Sequence, residues 1–325
     1  MKLASLKNGT RDGALVVVSR DLKRAVEVGS IAPTLQAALD DWATVRPQLE
    51  RVSEELNAGD VPGAFAFDEP AVESALPRAY QWLDGSTYLS HYNRIKPEML
   101  VTGLEPPADG IPILYQGTGD DFQPPHGDLV LPDESHHIDF ELELAVVTDD
   151  VPLGTTPERA LDHVVLVGII NDVSLRGLIA AELATGFGPI TAKPSSCLSP
   201  VLVTPDELGS AWHADGIDLA AFVELNGELV AQPNARGMKY GFDVLISRAA
   251  TTRRLGAGTV VGSGTVSNLS DEVGYACIAE RRAVETATSG APTTPFLKHG
   301  ARFRMWMDLD GMSIFGTIDQ RVVIS

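Results

Sequence analysis

Three acids stand at alternate positions in "IDFELELAVV" (138–147): Asp139, Glu141 and Glu143, interleaved with Phe140, Leu142, Leu144 and Val146. Side chains of a β-strand alternate faces with period two, so this run sets three carboxylates side by side opposite an apolar face. One reading is a solvated outer face over a buried one. The other is a cluster of hard oxygen ligands for a divalent cation. A further acid bears on the choice. "VVLVGIINDVSLRGL" (164–178) reads as a strand buried on both faces that ends abruptly in Asn171 and Asp172. An unpaired carboxylate at the end of a buried strand is costly. Asp172 therefore caps the helix that follows, pairs with Arg176, or joins Glu141 and Glu143 around a cation. In the last case the cation offsets the repulsion that would otherwise raise each carboxyl pKa.

Other groups able to do chemistry are scattered along the chain. "WLDGSTYLSHYNR" (82–94) carries Asp84 and His91, and a lone His near a Tyr is more often structural than a base. "GFGPITAKPSSCLSP" (186–200) holds Lys193 as its sole charge. "SGTVSN" is followed by "GYACIAERR", where Glu280 sits in an apolar run beside Arg281 and Arg282. His126 lies in the loop "QPPHGD". Alone, each of these signals is weak.

These residues must be placed by elements of a sizeable chain. With 325 residues, 44% hydrophobic and 21% charged, it has enough apolar material for a large domain and a smaller one. The formal net charge of −19 argues against nucleic acid and anionic membrane as partners, since both require basic patches. The two cysteines, Cys197 and Cys277, have no zinc-ligand spacing, and a reduced cytoplasmic setting is expected. The start "MKLASLKNGT" lacks the apolar core of a signal peptide, and no apolar run approaches a bilayer span.

The first part, 1–77, reads as a small α+β domain. "MKLASL", "GALVVVS" and "RAVEVG" are short strands separated by turn pairs. Thr34 caps a helical pattern through Leu35, Leu39 and Trp42, Pro47 is expected to break it, and a second short helix carries Leu49, Val52 and Leu56. From 78 to 325 β-signals dominate, with hairpins expected at Asn226-Gly227 and Asp310-Gly311. "GSG" at 262–264 is no nucleotide loop, because no helix-opening G-x-G-x-x-G or G-K-[ST] accompanies it. The fold class is mixed α/β, mostly β.

Taken in order, Asp-aromatic-Glu-x-Glu on a strand, "NDVS-x-R" at the end of the next, a loop lysine and then "SGTVS" resemble the fumarylacetoacetate hydrolase family over residues 78–325. The resemblance implies a C-terminal domain built as a rolled β-sandwich, usually in a homodimer, holding Mg²⁺ (first), Mn²⁺ or Ca²⁺. It implies Glu141, Glu143 and Asp172 as metal ligands. Asp84, seven residues before His91, matches the additional ligand of the long, fumarylacetoacetase-like members. It implies His91 as the base, paired with Glu280, Lys193 and Arg176 around an oxyanion, and Thr265 as a substrate contact. Ile179 and Leu183 stand where the animal enzymes carry a substrate-binding Gln and Tyr, and Ser86 where they carry a Tyr. The hydroxyl after the loop lysine is Ser195 or Ser196.

The chemistry implied is hydrolysis of a C–C bond in a small anionic 1,3-diketo acid by His-activated water. Acylpyruvate hydrolysis or oxaloacetate-type decarboxylation would use the same centre. A non-catalytic calcium-binding protein is the reading from another class, and it gives His91 and Lys193 no reason to adjoin the carboxylates.

Overall fold

The computed structural model describes residues 1–59, 61–100 and 110–325, and for 97–100 the backbone alone. The β-prone runs at the start form consecutive antiparallel strands, Lys2–Leu6, Ala14–Val18 and Arg24–Glu27. Asn226 and Gly227 turn with φ 53° and 85°, and Asp310 and Gly311 with 53° and 79°. Both central residues at positive φ make each a tight hairpin turn of the expected kind. Thr34 caps the helix Leu35–Asp40, its Oγ1 accepting from the Ala37 amide at 3.1 Å.

The expected break at Pro47 does not occur. Helix Trp42–Ala58 runs through the proline, and the interruption falls at Asp41 instead. Buried Trp42, Val45, Leu49, Ser53 and Leu56 form one stripe at spacings of three and four that crosses Pro47. Packing of that stripe on the sheet outweighs the single backbone bond the proline removes.

Two large open sheets dominate, so the molecule is mixed α/β with strand prevailing. The main sheet joins strands from both parts of the chain. Along it, Lys2–Leu6 neighbours Leu202–Val203, followed by Val164–Asn171, Leu142–Thr148, Val260–Thr265, Trp82–Ser86 and, at the edge, Ile113–Gly117. All these pairings are antiparallel except Val260–Thr265 with Trp82–Ser86, which is parallel. The second sheet is built on Gly216–Leu225, Arg302–Leu309, Ile318–Ile324 and His126–Leu131.

The main sheet is the middle layer. One apolar cluster joins its Leu142, Leu144, Val146 and Ile169 to Val223, Phe303, Met305 and Ile318 of the second sheet. The other joins its opposite face, through Trp82, Ala145, Val147 and Ile170, to Leu35, Leu39, Trp42, Leu49 and Leu56 of the helices. Strand periodicity continues that helix-covered face from Trp82 to Asp84, from Ala145 back to Glu143, and from Ile170 to Asp172. Three strands thus run from apolar core into an acid at the same end. The register agrees: Asp84 lies opposite Gly262 and Tyr115, and Glu143 opposite Ile170 and Thr265.

Glycine makes room there. A Cβ on Gly262 would lie 2.3 Å from Trp82 Cη2 and 3.0 Å from Asp84 Oδ1. Gly262→Ala is therefore expected to push Trp82 and the Asp84 strand outward, lowering stability by about 1–3 kcal/mol. Thermal unfolding checks this, and an unchanged midpoint would show that Trp82 repacks freely.

Candidate active site

The run 138–147 is not one continuous strand. Ile138–Asp139 pairs with Ser174–Leu175 in a small sheet, Glu141 makes a single bridge with Cys277, and Leu142–Thr148 enters the main sheet. The solvated-face reading fails, because Asp139, Glu141 and Glu143 are all buried. The three acids part company. Asp139 accepts from the Ile278 and Ala279 amides at 2.7 and 2.9 Å, capturing the start of helix Ile278–Ser289, and from Arg176 Nε at 2.9 Å.

Glu141 is fully partnered. Its Oε1 accepts from Arg176 at 2.5 Å and Thr265 Oγ1 at 2.8 Å, and its Oε2 from Lys193 Nζ at 2.7 Å and Ser174 Oγ at 3.2 Å. Ser174 serves this carboxylate and not the helix that follows; helix Arg176–Leu183 has Leu175 at its N-cap and no side-chain cap bond. Lys193 also donates to Ser174 Oγ and to Asp172, joining Glu141 to Asp172. Asp172 accepts further from Tyr115 OH at 2.8 Å and Ser196 Oγ at 2.9 Å, which selects Ser196 over Ser195 as the hydroxyl after the lysine.

Asp84, Glu143 and Asp172 bring carboxylate oxygens within 4.8 Å of one another. Glu143 Oε2 accepts from the Gly264 amide at 3.1 Å, but Asp84 Oδ1 and Glu143 Oε1 are buried and meet no donor. Burial first, and the Asp172 charge next, push Asp84 up to about 7. Burial with the Asp84 and Asp172 charges pushes Glu143 well above the usual carboxylate range. Burial also raises Asp172, against the pull of Lys193. Glu141 goes the other way: burial opposes its charge, but Arg176 and Lys193 hold it well below. Hard, anionic oxygen donors with two oxygens lacking any partner fit a divalent cation of the Mg²⁺, Mn²⁺ or Ca²⁺ kind. Asp84, Glu143 and Asp172 would hold it, with Glu141 beside them.

The backbone of Glu141 faces a second group. His91, buried on helix Leu89–Leu100, places Nδ1 2.9 Å from Glu280 Oε2. The other Glu280 oxygen accepts from Arg94 at 2.5 Å and Ser267 Oγ at 2.7 Å. Cys277, which bridges Glu141, caps helix Ile278–Ser289, which carries Glu280, with Sγ accepting from the Glu280 amide at 3.4 Å. His91, Cys277 and Glu280 also lie within 4.8 Å of one another, with Glu280 Oε1 taken by Arg94 and Ser267 and Oε2 by His91. The hydrogen bonds from His91 and Ser267, with the Arg94 charge, lower the Glu280 pKa in spite of burial.

Of the other candidates, Thr265 bonds Glu141, while Ser86 ends its strand half-buried opposite Ile113 and Ile179 lies half-buried on helix Arg176–Leu183. His126 pairs with Glu69 at 3.1 Å, apart from both groups. Sequence reasoning missed Arg94, Tyr115, Ser267 and the role of Asp139. The spacing of three from His91 to Arg94 on one helix was the available signal for the first. Tyr115 depends on sheet register that no local pattern displays.

Residues 82–323 match the family model for the fumarylacetoacetate (FAA) hydrolase C-terminal region, and residues 1–78 that for fumarylacetoacetase N-terminal domain 2. The chain belongs to the fumarylacetoacetate hydrolase family. It is 30% identical over 157 residues to a 2,4-didehydro-3-deoxy-L-rhamnonate hydrolase of Sphingomonas sp. (strain SKA58), covering 47% of this chain and 52% of that protein. It is 29% identical over 160 residues to a mitochondrial oxaloacetate tautomerase of Xenopus laevis, covering 49% of each. The chain thus spans about half the length of these curated relatives. Its fold resembles that of a maleylpyruvate hydrolase from Sphingobium sp. SYK-6 in complex with manganese (II) ion and pyruvate, with TM-score 0.66, 17% identity and full coverage of both chains. The family relatives are enzymes acting on small organic acids. Among the described residues no helix is long and apolar enough to cross a membrane.

The carboxylate arrangement yields a test that needs no substrate. A raised carboxyl pKa costs stability above the unfolded value, because folding must neutralise the group. Glu143→Gln removes that cost, so the metal-stripped protein should gain about 1 kcal/mol or more at neutral pH. The same change should abolish the rise in unfolding temperature that Mn²⁺ gives the unmutated protein. Thermal unfolding with EDTA and with Mn²⁺ reads both effects; a mutant still stabilised by Mn²⁺ would rule out Glu143 as a ligand.

Proposed function

We propose that this protein is a divalent-metal-dependent hydrolase that cleaves a C–C bond in a small anionic 1,3-diketo acid, of the fumarylacetoacetate or acylpyruvate kind. The observation that carries the reading is the pairing of an under-neutralised carboxylate trio with a buried His–Glu dyad on either side of Glu141. When bound, a divalent cation supplies electrophilic polarisation of the substrate's paired oxygens.

The chain's own residues do the rest. With its Nδ1–H donating to Glu280, His91 presents Nε2 as the acceptor for a proton of water. The water oxygen adds to the carbonyl carbon, and Lys193, with Arg176 behind it, offers positive charge to the oxyanion that forms. The C–C bond then breaks, its electron pair leaving on the α-carbon as an enolate, and the proton held by His91 returns to that carbon. Arg94 and Ser267 keep the dyad in line by occupying the far oxygen of Glu280.

The same proton chemistry serves oxaloacetate tautomerisation or decarboxylation, and the tautomerase relative favours keeping that second reading. The purely calcium-binding alternative is disfavoured by Lys193 sitting on Glu141 and Asp172.

Turnover of fumarylacetoacetate, a set of acylpyruvates and oxaloacetate with Mg²⁺ or Mn²⁺ tests the proposal. Release of two acids from a diketo acid is expected, and its absence across the panel would reject the hydrolase reading. On the best substrate His91→Ala should lower kcat by about 10²–10⁴-fold with Mn²⁺ affinity nearly unchanged. Glu280→Gln should give a smaller loss of the same kind. A His91→Ala protein with unaltered kcat would transfer the base to another group.

A further inference from the structure

We propose that Glu182 is a positioning residue for Lys193, its carboxylate anchoring the backbone from which that lysine enters the carboxylate centre. This rests on the proposed role of Lys193 and adds the device that fixes it. Glu182 Oε2 accepts from the Ile190 amide at 2.8 Å and the Ala192 amide at 3.0 Å. Its Oε1 accepts from the Thr191 amide at 2.8 Å and Thr191 Oγ1 at 2.6 Å. Three successive amides therefore end on one side chain, and the next residue is Lys193.

The anchor ties both cations of Glu141 to one frame. Arg176 is the first residue of the helix that carries Glu182, and the Leu175 amide donates to Ala192 O at 2.8 Å. Between helix and anchor the chain loops out. Phe187 is 96% and Ile190 75% exposed, and Gly186 and Gly188 turn at φ 79° and 92° with open space around them. Without the anchor only the Leu175–Ala192 bond would separate this exposed loop from Lys193, and its freedom would reach the Nζ held between Glu141 and Asp172.

The fold contains a matched control. Glu285, on helix Ile278–Ser289, collects the Thr293 and Thr294 amides at 2.6 and 2.8 Å and Thr294 Oγ1 at 2.5 Å in the same way, and no site residue follows it.

Trace acetylation of the full chain with acetic anhydride, read lysine by lysine by mass spectrometry, tests the proposal without a substrate. Lys193 should be protected in the unmutated protein and become several-fold more reactive in Glu182→Ala. Lys2, buried elsewhere with Nζ on Ile314 O at 2.9 Å, should stay protected. Glu285→Ala should leave both lysines protected. Glu182→Gln, which keeps one carbonyl acceptor, should lie between, and it replaces Glu182→Ala if that variant fails to fold. On the best acid of the panel, Glu182→Ala should lose about 10- to 100-fold in kcat with little change in KM, the scale of displacing a catalytic group by about an ångström. Continued protection of Lys193 in Glu182→Ala would overturn the proposal, as would exposure of Lys193 and Lys2 together. Lys193 exposed with turnover unchanged would support the anchor and overturn instead the catalytic role given to Lys193.

Discussion

Buried like charges impose the constraint around which this structure is arranged. Asp84, Glu141, Glu143 and Asp172 are drawn to one end of the main sheet, and among the described residues only Lys193 and Arg176 reach them as cations. Both cations serve Glu141, and Lys193 extends to Asp172, which leaves Asp84 and Glu143 facing one another with no donor between them. A protein that buried such a group for stability alone would do better with apolar residues of the same size. The strain is tolerable because strands anchored in two apolar clusters deliver the acids, so the repulsion is opposed by the whole middle layer. Gly262, which leaves room for Trp82 against the Asp84 strand, belongs to the same arrangement.

Glu141 joins the carboxylate cluster to the His91–Glu280 pair, the two halves of the proposed chemistry. Its side chain faces Arg176, Lys193, Thr265 and Ser174, while its backbone bridges Cys277 at the start of the helix that carries Glu280. Asp139 closes the circuit by holding Arg176 and the first two amides of that helix. A displacement of helix Ile278–Ser289 is thereby felt by Arg176 as well as by His91. Two groups of residues from distant parts of the chain are kept in register by a few short bonds, which is how a site can be held to fractions of an ångström.

Much of this was legible in the sequence, and the exceptions have physical reasons. The hairpins at Asn226-Gly227 and Asp310-Gly311 were readable because positive φ at two adjacent positions demands those residue types. The ordered set of acids was readable because each closes or opens an apolar run. What failed was local inference about competing forces. Pro47 argued for a break, but the buried stripe through Trp42, Val45, Leu49 and Leu56 was stronger. Alternation in 138–147 argued for one face, but the chain changes sheet at Phe140–Glu141, so Asp139 and Glu141 share Arg176 while Glu143 meets Asp84 and Asp172. Tyr115 and Ser196 reach Asp172 by register and loop path, neither of which leaves a periodic trace.

The relatives with hydrolase and tautomerase activities bear on what such a centre leaves open to variation. In the proposed reaction, taking a proton from water leads to hydrolysis, and taking it from the carbon between two carbonyls leads to keto–enol exchange. Both need the same anchored imidazole and the same neutralised oxygens. The choice falls to whatever positions water or carbon against His91 Nε2. Helix Arg176–Leu183 carries half-buried Ile179 and Leu183, at positions that the family resemblance implies for substrate-binding polar side chains. In the proposed reaction an apolar wall at these positions would order fewer waters than a Gln and a Tyr, leaving the acyl group of the substrate to direct water onto the carbonyl. On that proposal substrate shape would select between the two outcomes, while the carboxylates and the dyad remain as they are.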